Sequence, residues 1–231
     1  MERNSFFIKN TAERVERGES SSFLNTNELS AVVGLLKKRR IKHSIYYPYK
    51  MAEKVLVYLE NKPEISVLEI ITKNELKHSD ILGSLFANQI SQNQYGDILI
   101  FNDKYYITVL THLVPYFLTS FNKVGNWEVE VEVVGISKIA DFEYKYETLQ
   151  FLTSSLRIDN VVSSITNLSR ARVEEMFDDK LVLLQHEIVK RFRVLNEGDI
   201  ISIRKYGKYK FNGVISKNAK GKLWVEILKY I

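Results

Sequence analysis

The sequence predicts an α+β chain: an N-terminal helical segment, then a split βαβ domain, then a small basic module at the C-terminal end. Three observations carry that expectation. The apolar period changes from that of helices to that of strands near Val55 and then alternates between the two. The elements after that point run strand, helix, strand, strand, helix, strand. Charge is divided unevenly: residues 1–153 hold 18 Lys and Arg against 19 Asp and Glu, and residues 154–231 hold 15 against 9. The whole net charge of +5 therefore arises in the last third. A basic part of this kind points to an anionic partner, nucleic acid ahead of a membrane surface, or to a solvated basic face.

Thr26 can cap a helix through Glu28, Leu29, Val32, Val33 and Leu36, which ends in Lys37, Lys38, Arg39 and Arg40. Cations there favour the helix dipole, so the cluster has a structural reading beside a binding one. Ile65 to Thr72 reads as a strand, and Ser79 begins a helix through Ile81, Leu82, Leu85, Phe86 and Ile90. Gln94 to Asp97 turns into a strand over Ile98 to Phe101. Asn102, Asp103 and Lys104 turn into another over Tyr105 to Val109. Thr111 to Val124 reads as a helix with Pro115 in its first turn. Trp127 to Val134 alternates apolar residues with Glu128, Glu130 and Glu132, giving a strand with one acidic face.

This order is that of the ferredoxin-like split βαβ fold, which RNA-recognition-motif domains share. Tyr105 and Tyr106 stand where stacking aromatics sit in such domains, but the basic, glycine-rich signature of that strand is missing. One tyrosine is expected in the core and the other exposed. Gly135 to Phe151 lacks strong periodicity and marks a boundary. The expected domains are 1–60, a helical and strand segment; 61–140, the ferredoxin-like domain; and 150–231, the basic module.

Within that module, Leu156, Val161, Val162 and Ile165 share one face of a short helix. Asn167 and Leu168 break it, and Ser169 caps a second helix, whose first turn holds Arg170 and Arg172. Two arginines oppose the dipole there, at a cost of roughly a few tenths of a kcal/mol. A bound phosphate would compensate, because guanidinium forks and free N–H groups at a helix start converge on one anion. The plain alternative is ion pairing with Glu174 or Glu175. Strands follow over Leu181 to Leu184, Ile188 to Leu195 and, after the turn Asn196 to Asp199, Ile200 to Arg204. Basic and aromatic residues interleave from Arg204 to Phe211. Lys217, Lys220 and Lys222 crowd a last hairpin around Asn218 and Gly221, and Leu223 to Ile227 closes the sheet.

At these residues the sequence resembles the S-four RNA-binding module, also called the αL motif. Arg157-Ile158-Asp159 stands for its Arg-Leu-Asp start, Ser169-Arg170 opens its second helix, and Gly198-Asp199-Ile200 matches its Gly-Asp turn. Lys180 replaces the usual Gly after the second helix, and Gln185 the usual Asn in the next strand. The N-terminal part resembles the bacterial YlmH-type proteins. The matching residues are Phe23-Leu24 with Glu28, Ala52-Glu53-Lys54, His78 to Leu85, and Gly96 to Leu99. Gln92 stands where that family tends to have a basic residue. The resemblance implies a cytoplasmic RNA-binding protein without a cofactor. It would engage structured rRNA and tRNA on the large ribosomal subunit during rescue of stalled ribosomes, that is, in ribosome-associated quality control, with a link to cell division in some bacteria. The residues expected to contact RNA are Arg157, Ser169, Arg170, Arg172, Lys180, Arg204, Lys205 and Lys208.

Other classes find less support. The absence of cysteine excludes disulfides and thiol chemistry and fits a reducing compartment such as the cytoplasm. Met1 to Glu19 lacks a signal-peptide core, and no run reaches the length of a membrane span. His43, His78, His112 and His186 lie far apart and form no spaced metal motif, and Gly83 and Gly96 belong to no phosphate-binding loop. An rRNA- or tRNA-modifying enzyme that uses the module as a handle is the rival. A pseudouridine synthase would place a catalytic domain after Ile231, and a tyrosyl-tRNA synthetase would carry His-Ile-Gly-His and Lys-Met-Ser-Lys-Ser signatures, which are missing. A protein-interaction adaptor built on Glu128, Glu130 and Glu132 is the third class; charges on an edge strand also protect against aggregation.

Overall fold

The computed structural model describes residues 2–185 and 187–231, with side chains from residue 5 onward apart from that of residue 187. His186 lies outside the described residues. The chain forms two units, Met1–Glu143 and Tyr144–Ile231.

The first unit opens with a helix that the sequence reading passed over, α1 (Glu2–Glu16). Ile8, Ala12 and Val15 recur at helical spacing and pack on Val32 and Leu36 of α2 (Thr26–Lys38). Leu24 and Val57 join them, the latter from a hairpin of β1 (Ser44–Tyr46) and β2 (Leu56–Tyr58). Asn25, rather than Thr26, caps α2, because Thr26 is already helical. The Asn25 side chain accepts from the Glu28 N–H at 3.0 Å, and the Glu28 carboxylate accepts from the Asn25 N–H at 2.9 Å. Arg39, in the basic cluster after α2, pairs with Glu16 at 2.7 Å and Glu13 at 3.8 Å, so it fastens α2 to α1.

The split domain follows as β3 (Ile65–Ile71), α3 (His78–Ala87), β4 (Tyr95–Phe101), β5 (Lys104–Leu110), α4 (Val114–Ser120), a hairpin of β6 (Lys123–Val124) and β7 (Trp127–Glu128), and β8 (Glu130–Val134). The sheet order is β4-β5-β3-β8 with every pair antiparallel, which is the ferredoxin-like order. Leu68, Ile70, Tyr105 and Ile107 meet Ile81, Leu85, Phe117 and Phe121 beneath the two helices.

Several expectations change in detail. Helix α3 starts at His78, one residue before Ser79, since the Asp80 carboxylate accepts from the Lys77 N–H at 2.9 Å. The helix expected over Thr111 to Val124 is a 3-10 turn, Thr111–Leu113, followed by α4, which ends at Ser120 before Gly125 reverses the chain at φ 58°. The strand expected over Trp127 to Val134 is divided at Val129, whose buried side chain joins the core between β7 and β8. Strand β4 reaches back to Tyr95 through a register shift before Ile98. Tyr105 and Tyr106 are both buried, at 9% and 3% exposure, where one was expected outside. The Tyr105 hydroxyl accepts from the Leu76 N–H at 2.9 Å.

Tyr106 lies on the sheet face opposite the helices, where Leu99 and Thr108 are buried beside it while Glu130 and Glu132 of β8 stay exposed. Phe142 packs edge-on against both Phe101 and Tyr49 at 5.7 and 5.5 Å, and the Phe23 ring lies over Gly96. A Cβ at Gly96 would sit 2.1 Å from Thr108 Oγ1 and 2.9 Å from Phe23, so close approach requires glycine there. Asp97 then takes the Tyr49 hydroxyl at 2.6 Å and the Glu53 N–H at 2.9 Å, while Lys54 Nζ donates to the Gln92 and Tyr95 carbonyls. Ala52-Glu53-Lys54, Gln92 and Gly96-Asp97 are thus brought together as one loop clasp.

The second unit runs β9 (Tyr146–Thr153), α5 (Ile158–Thr166), α6 (Arg170–Asp178), β10 (Val182–Leu184), β11 (Glu187–Ile188), β12 (Ile200–Ile203), β13 (Gly207–Lys217) and β14 (Leu223–Tyr230). The six strands stand in the order β11-β10-β12-β13-β14-β9. Val161, Val162, Val173 and Phe177 press from the two helices onto Ile201, Ile203, Phe211 and Ile227. Residues 146–153, most of which fall in the Gly135 to Phe151 stretch that lacks strong periodicity, pair with β14 along their whole length, so β9 and not Leu223 to Ile227 closes the sheet. Exposed Glu147, Thr148 and Gln150 hide the strand pattern. The strand expected over Ile188 to Leu195 shortens to Glu187–Ile188. Beyond it the chain turns at Lys190 to Arg193 and returns to the start of α5 through the Arg157–Val194 bridge.

Candidate nucleic-acid interface

The start of α5, the start of α6 and the 190–193 turn meet at a cleft of about 280 Å³. Arg157 lies just before α5 and grips Asp159 with two hydrogen bonds, at 3.1 Å through Nε and 2.5 Å through an Nη. That contact raises the guanidinium pKa further, so Arg157 is a permanent cation. Its guanidinium lies 4.4 Å from the centroid of the Phe192 ring, and that of Arg191 lies 4.7 Å from the same ring. Arg191 also pairs with Glu174 of α6.

Asn167, left-handed at φ 54°, ends α5 and lets the chain reach Ser169 within two residues. The Ser169 hydroxyl accepts from the Arg172 N–H at 3.4 Å, the cap expected there. The two arginines of the first turn then part. Arg172 pairs with Glu175, which is the plain alternative weighed for it. Arg170 lines the cleft and, among the described residues, has no carboxylate partner.

The remaining basic residues fall into other groups. Lys180 follows α6 at φ 57° and donates to the Phe177 carbonyl at 3.1 Å, while the Leu181 N–H reaches the Met176 carbonyl at 2.9 Å. This is a Schellman end, which glycine favours, with lysine in the left-handed position. The Arg204 N–H donates to the Leu181 carbonyl at 2.9 Å, so Arg204 and Lys205 on the β12–β13 turn adjoin Lys180. Lys208 stands apart, its ammonium 4.5 Å from the Tyr230 centroid in a cluster with Tyr144 and Tyr146. Gln185 is buried at φ 51° and donates to Asp199 at 3.3 Å, and Asp199 also takes the Asn196 N–H at 2.8 Å. These contacts lock the Gly198-Asp199 turn and leave Gln185 no ligand role.

The cleft therefore unites Arg157 and Arg170 with two residues that the sequence reading missed, Arg191 and Phe192. Their signal was the run Lys190-Arg191-Phe192-Arg193, basic and aromatic together, which was absorbed into an expected strand. The split domain carries no comparable arginine cluster among the described residues. Residues 60–138 hold 6 Lys and Arg against 10 Asp and Glu, and Tyr106, on the sheet face that would stack bases, is buried. Among the described residues, no three His, Cys, Asp or Glu gather as a metal cage, and no helix is long and apolar enough to cross a membrane.

A ferredoxin-like domain of acidic charge, joined in sequence to a small basic unit with an arginine-lined cleft, defines a two-unit α+β protein. Residues 60–138 match the family described as "Putative RNA-binding domain in YlmH", so the YlmH-type resemblance read from the sequence holds for this domain. The chain is 25% identical over 150 residues to the Bacillus subtilis (strain 168) ribosome-associated protein quality control protein P2, a match covering 63% of this chain. The chain spans 57% of the length of that relative. It is also similar to the structure of the cell division protein ylmH from Streptococcus pneumoniae, with 22% identity and a TM-score of 0.49, over 61% of this chain and 92% of that one.

Proposed function

We propose that this chain is a non-catalytic, cytoplasmic RNA-binding protein whose C-terminal unit is an S-four-type module. It holds structured rRNA and tRNA at the large ribosomal subunit during rescue of stalled ribosomes. The observation that carries this reading is the cleft at the start of α6, where Arg170 has no carboxylate partner among the described residues and stands beside Arg157, Arg191 and an exposed aromatic ring. The family description of residues 60–138 and the name of the Bacillus subtilis relative support RNA and the ribosome as partners. Arg157 and Arg170 act at the cleft, with Ser169 ordering the helix start. Lys180, Arg204 and Lys205 meet backbone phosphates at the other end of α6, and Arg172 and Lys208 add contacts once released from Glu175 and from the tyrosines.

The test is a salt titration of binding to ribosomal RNA. Each phosphate neutralised contributes roughly 0.7 to 0.9 to the slope of log affinity against log salt, so the seven cations together give a slope of about −5 to −6. Arg170→Glu lowers affinity and makes the slope shallower. An affinity that does not change with salt would favour the adaptor reading, with Glu128, Glu130 and Glu132 as its surface.

A further inference from the structure

A cleft made only to grip phosphate would not be expected to hold carboxylates, yet this one places Asp159 and Glu174 among its three guanidinium groups. The two acids differ in freedom. The Asp159 side chain is 19% exposed and clamped by two hydrogen bonds from Arg157, so it serves as a fixed counter-ion. Glu174 is 51% exposed at the cleft, and among the described residues its ion pair is with Arg191. An exposed pair of this kind is weakly held and can be exchanged. Arg170 already faces the cleft without a carboxylate, so an incoming phosphate meets it first and draws Arg191 next. That transfer leaves the Glu174 carboxylate beside the bound phosphate. Two like charges so placed repel unless a hydrogen-bond donor lies between them.

We infer that Glu174 is a specificity-determining residue that makes the cleft select ribose over deoxyribose, its carboxylate accepting the 2′-hydroxyl of the nucleotide whose phosphate Arg170 and Arg191 hold. This rests on the RNA-binding reading above and deepens it. The 2′-hydroxyl is the group that distinguishes RNA from DNA at such a contact. In an RNA ligand, the freed carboxylate gains a charge-assisted hydrogen bond. In DNA of the same sequence it faces a phosphate with no donor, and binding is opposed.

The experiment measures the affinity of the full chain for one hairpin made as RNA and as DNA, at fixed salt, for wild type, Glu174→Ala and Arg170→Glu, with circular dichroism as the fold control. Wild type is expected to prefer RNA by about tenfold or more. In Glu174→Ala the DNA hairpin binds more tightly and the preference falls to within about twofold. A preference unchanged in Glu174→Ala, or no preference in wild type, overturns the inference while leaving the RNA site standing. Binding undiminished in Arg170→Glu overturns the site itself and the inference with it.

Discussion

Lys180 gives the clearest separation of folding from binding. It occupies the left-handed position after α6 at φ 57°, and its side chain is exposed. A residue with a Cβ costs roughly 1 to 2 kcal/mol in that conformation, whereas glycine carries no such penalty. The hydrogen bonds of the helix end come from the Lys180 and Leu181 N–H groups, so Lys180→Gly keeps both. Only the strain and the ammonium are removed. The greater freedom of glycine in the unfolded chain returns part of the gain, leaving a net stabilisation of about 1 kcal/mol. For a unit of fewer than 100 residues, that raises the melting temperature by roughly 4 to 8 °C. Calorimetry that follows the C-terminal transition should show this rise, with Lys180→Asn in between. RNA affinity should fall at the same time, and the salt slope should lose about 0.7 to 0.9. A melting temperature that stays level or drops in Lys180→Gly would refute the strain argument.

Gly96→Ala places a Cβ 2.1 Å from Thr108 Oγ1 and should destabilise the first unit by about 3 kcal/mol, read by chemical denaturation; a loss under about 0.5 kcal/mol would mean that the clasp yields freely. Burial pushes the Tyr95 hydroxyl up to about 12 from the usual 10.0. The native state therefore keeps a proton that the unfolded chain releases, so the contribution of Tyr95 to stability is constant below pH 10 and declines between pH 10 and 12. Tyr95→Phe should make that decline shallower in pH-dependent melts. Arg172→Ala, which removes a residue already paired with Glu175, should reduce RNA affinity by less than about threefold, against about tenfold for Arg170→Ala, since a side chain must first leave its ion pair to gain a contact.

The elements that the sequence revealed were those whose apolar residues repeat strongly. Leu68 and Ile70 on β3, Ile81 and Leu85 on α3 and Ile107 on β5 follow clean periods, and the split βαβ order follows from them. Strand β9 escaped because it lies at a sheet edge and shows Glu147, Thr148 and Gln150 to solvent. Helix α1 escaped because its pattern was read only for what it lacked as a leader, although Ile8, Ala12 and Val15 have helical spacing. Phe142 packs on Phe101 and Tyr49, and Phe23 on Gly96, contacts so distant in sequence that nothing local announced the burial of Tyr106. At the cleft, the Ser169 cap and Arg170 were legible from local rules, and the departures at Lys180 and Gln185 proved to be left-handed positions. Arg191 and Phe192 were not, because only tertiary folding carries the 190–193 turn back to α5.

The central claim is that Arg170, at the start of α6, holds RNA on the ribosome, and its most direct test is co-sedimentation of the tagged protein with ribosomal particles. Wild type should travel with the large subunit. Arg170→Glu should remain at the top of the gradient, with an unchanged circular dichroism spectrum. Arg170→Glu travelling with the particles as wild type does would contradict the account.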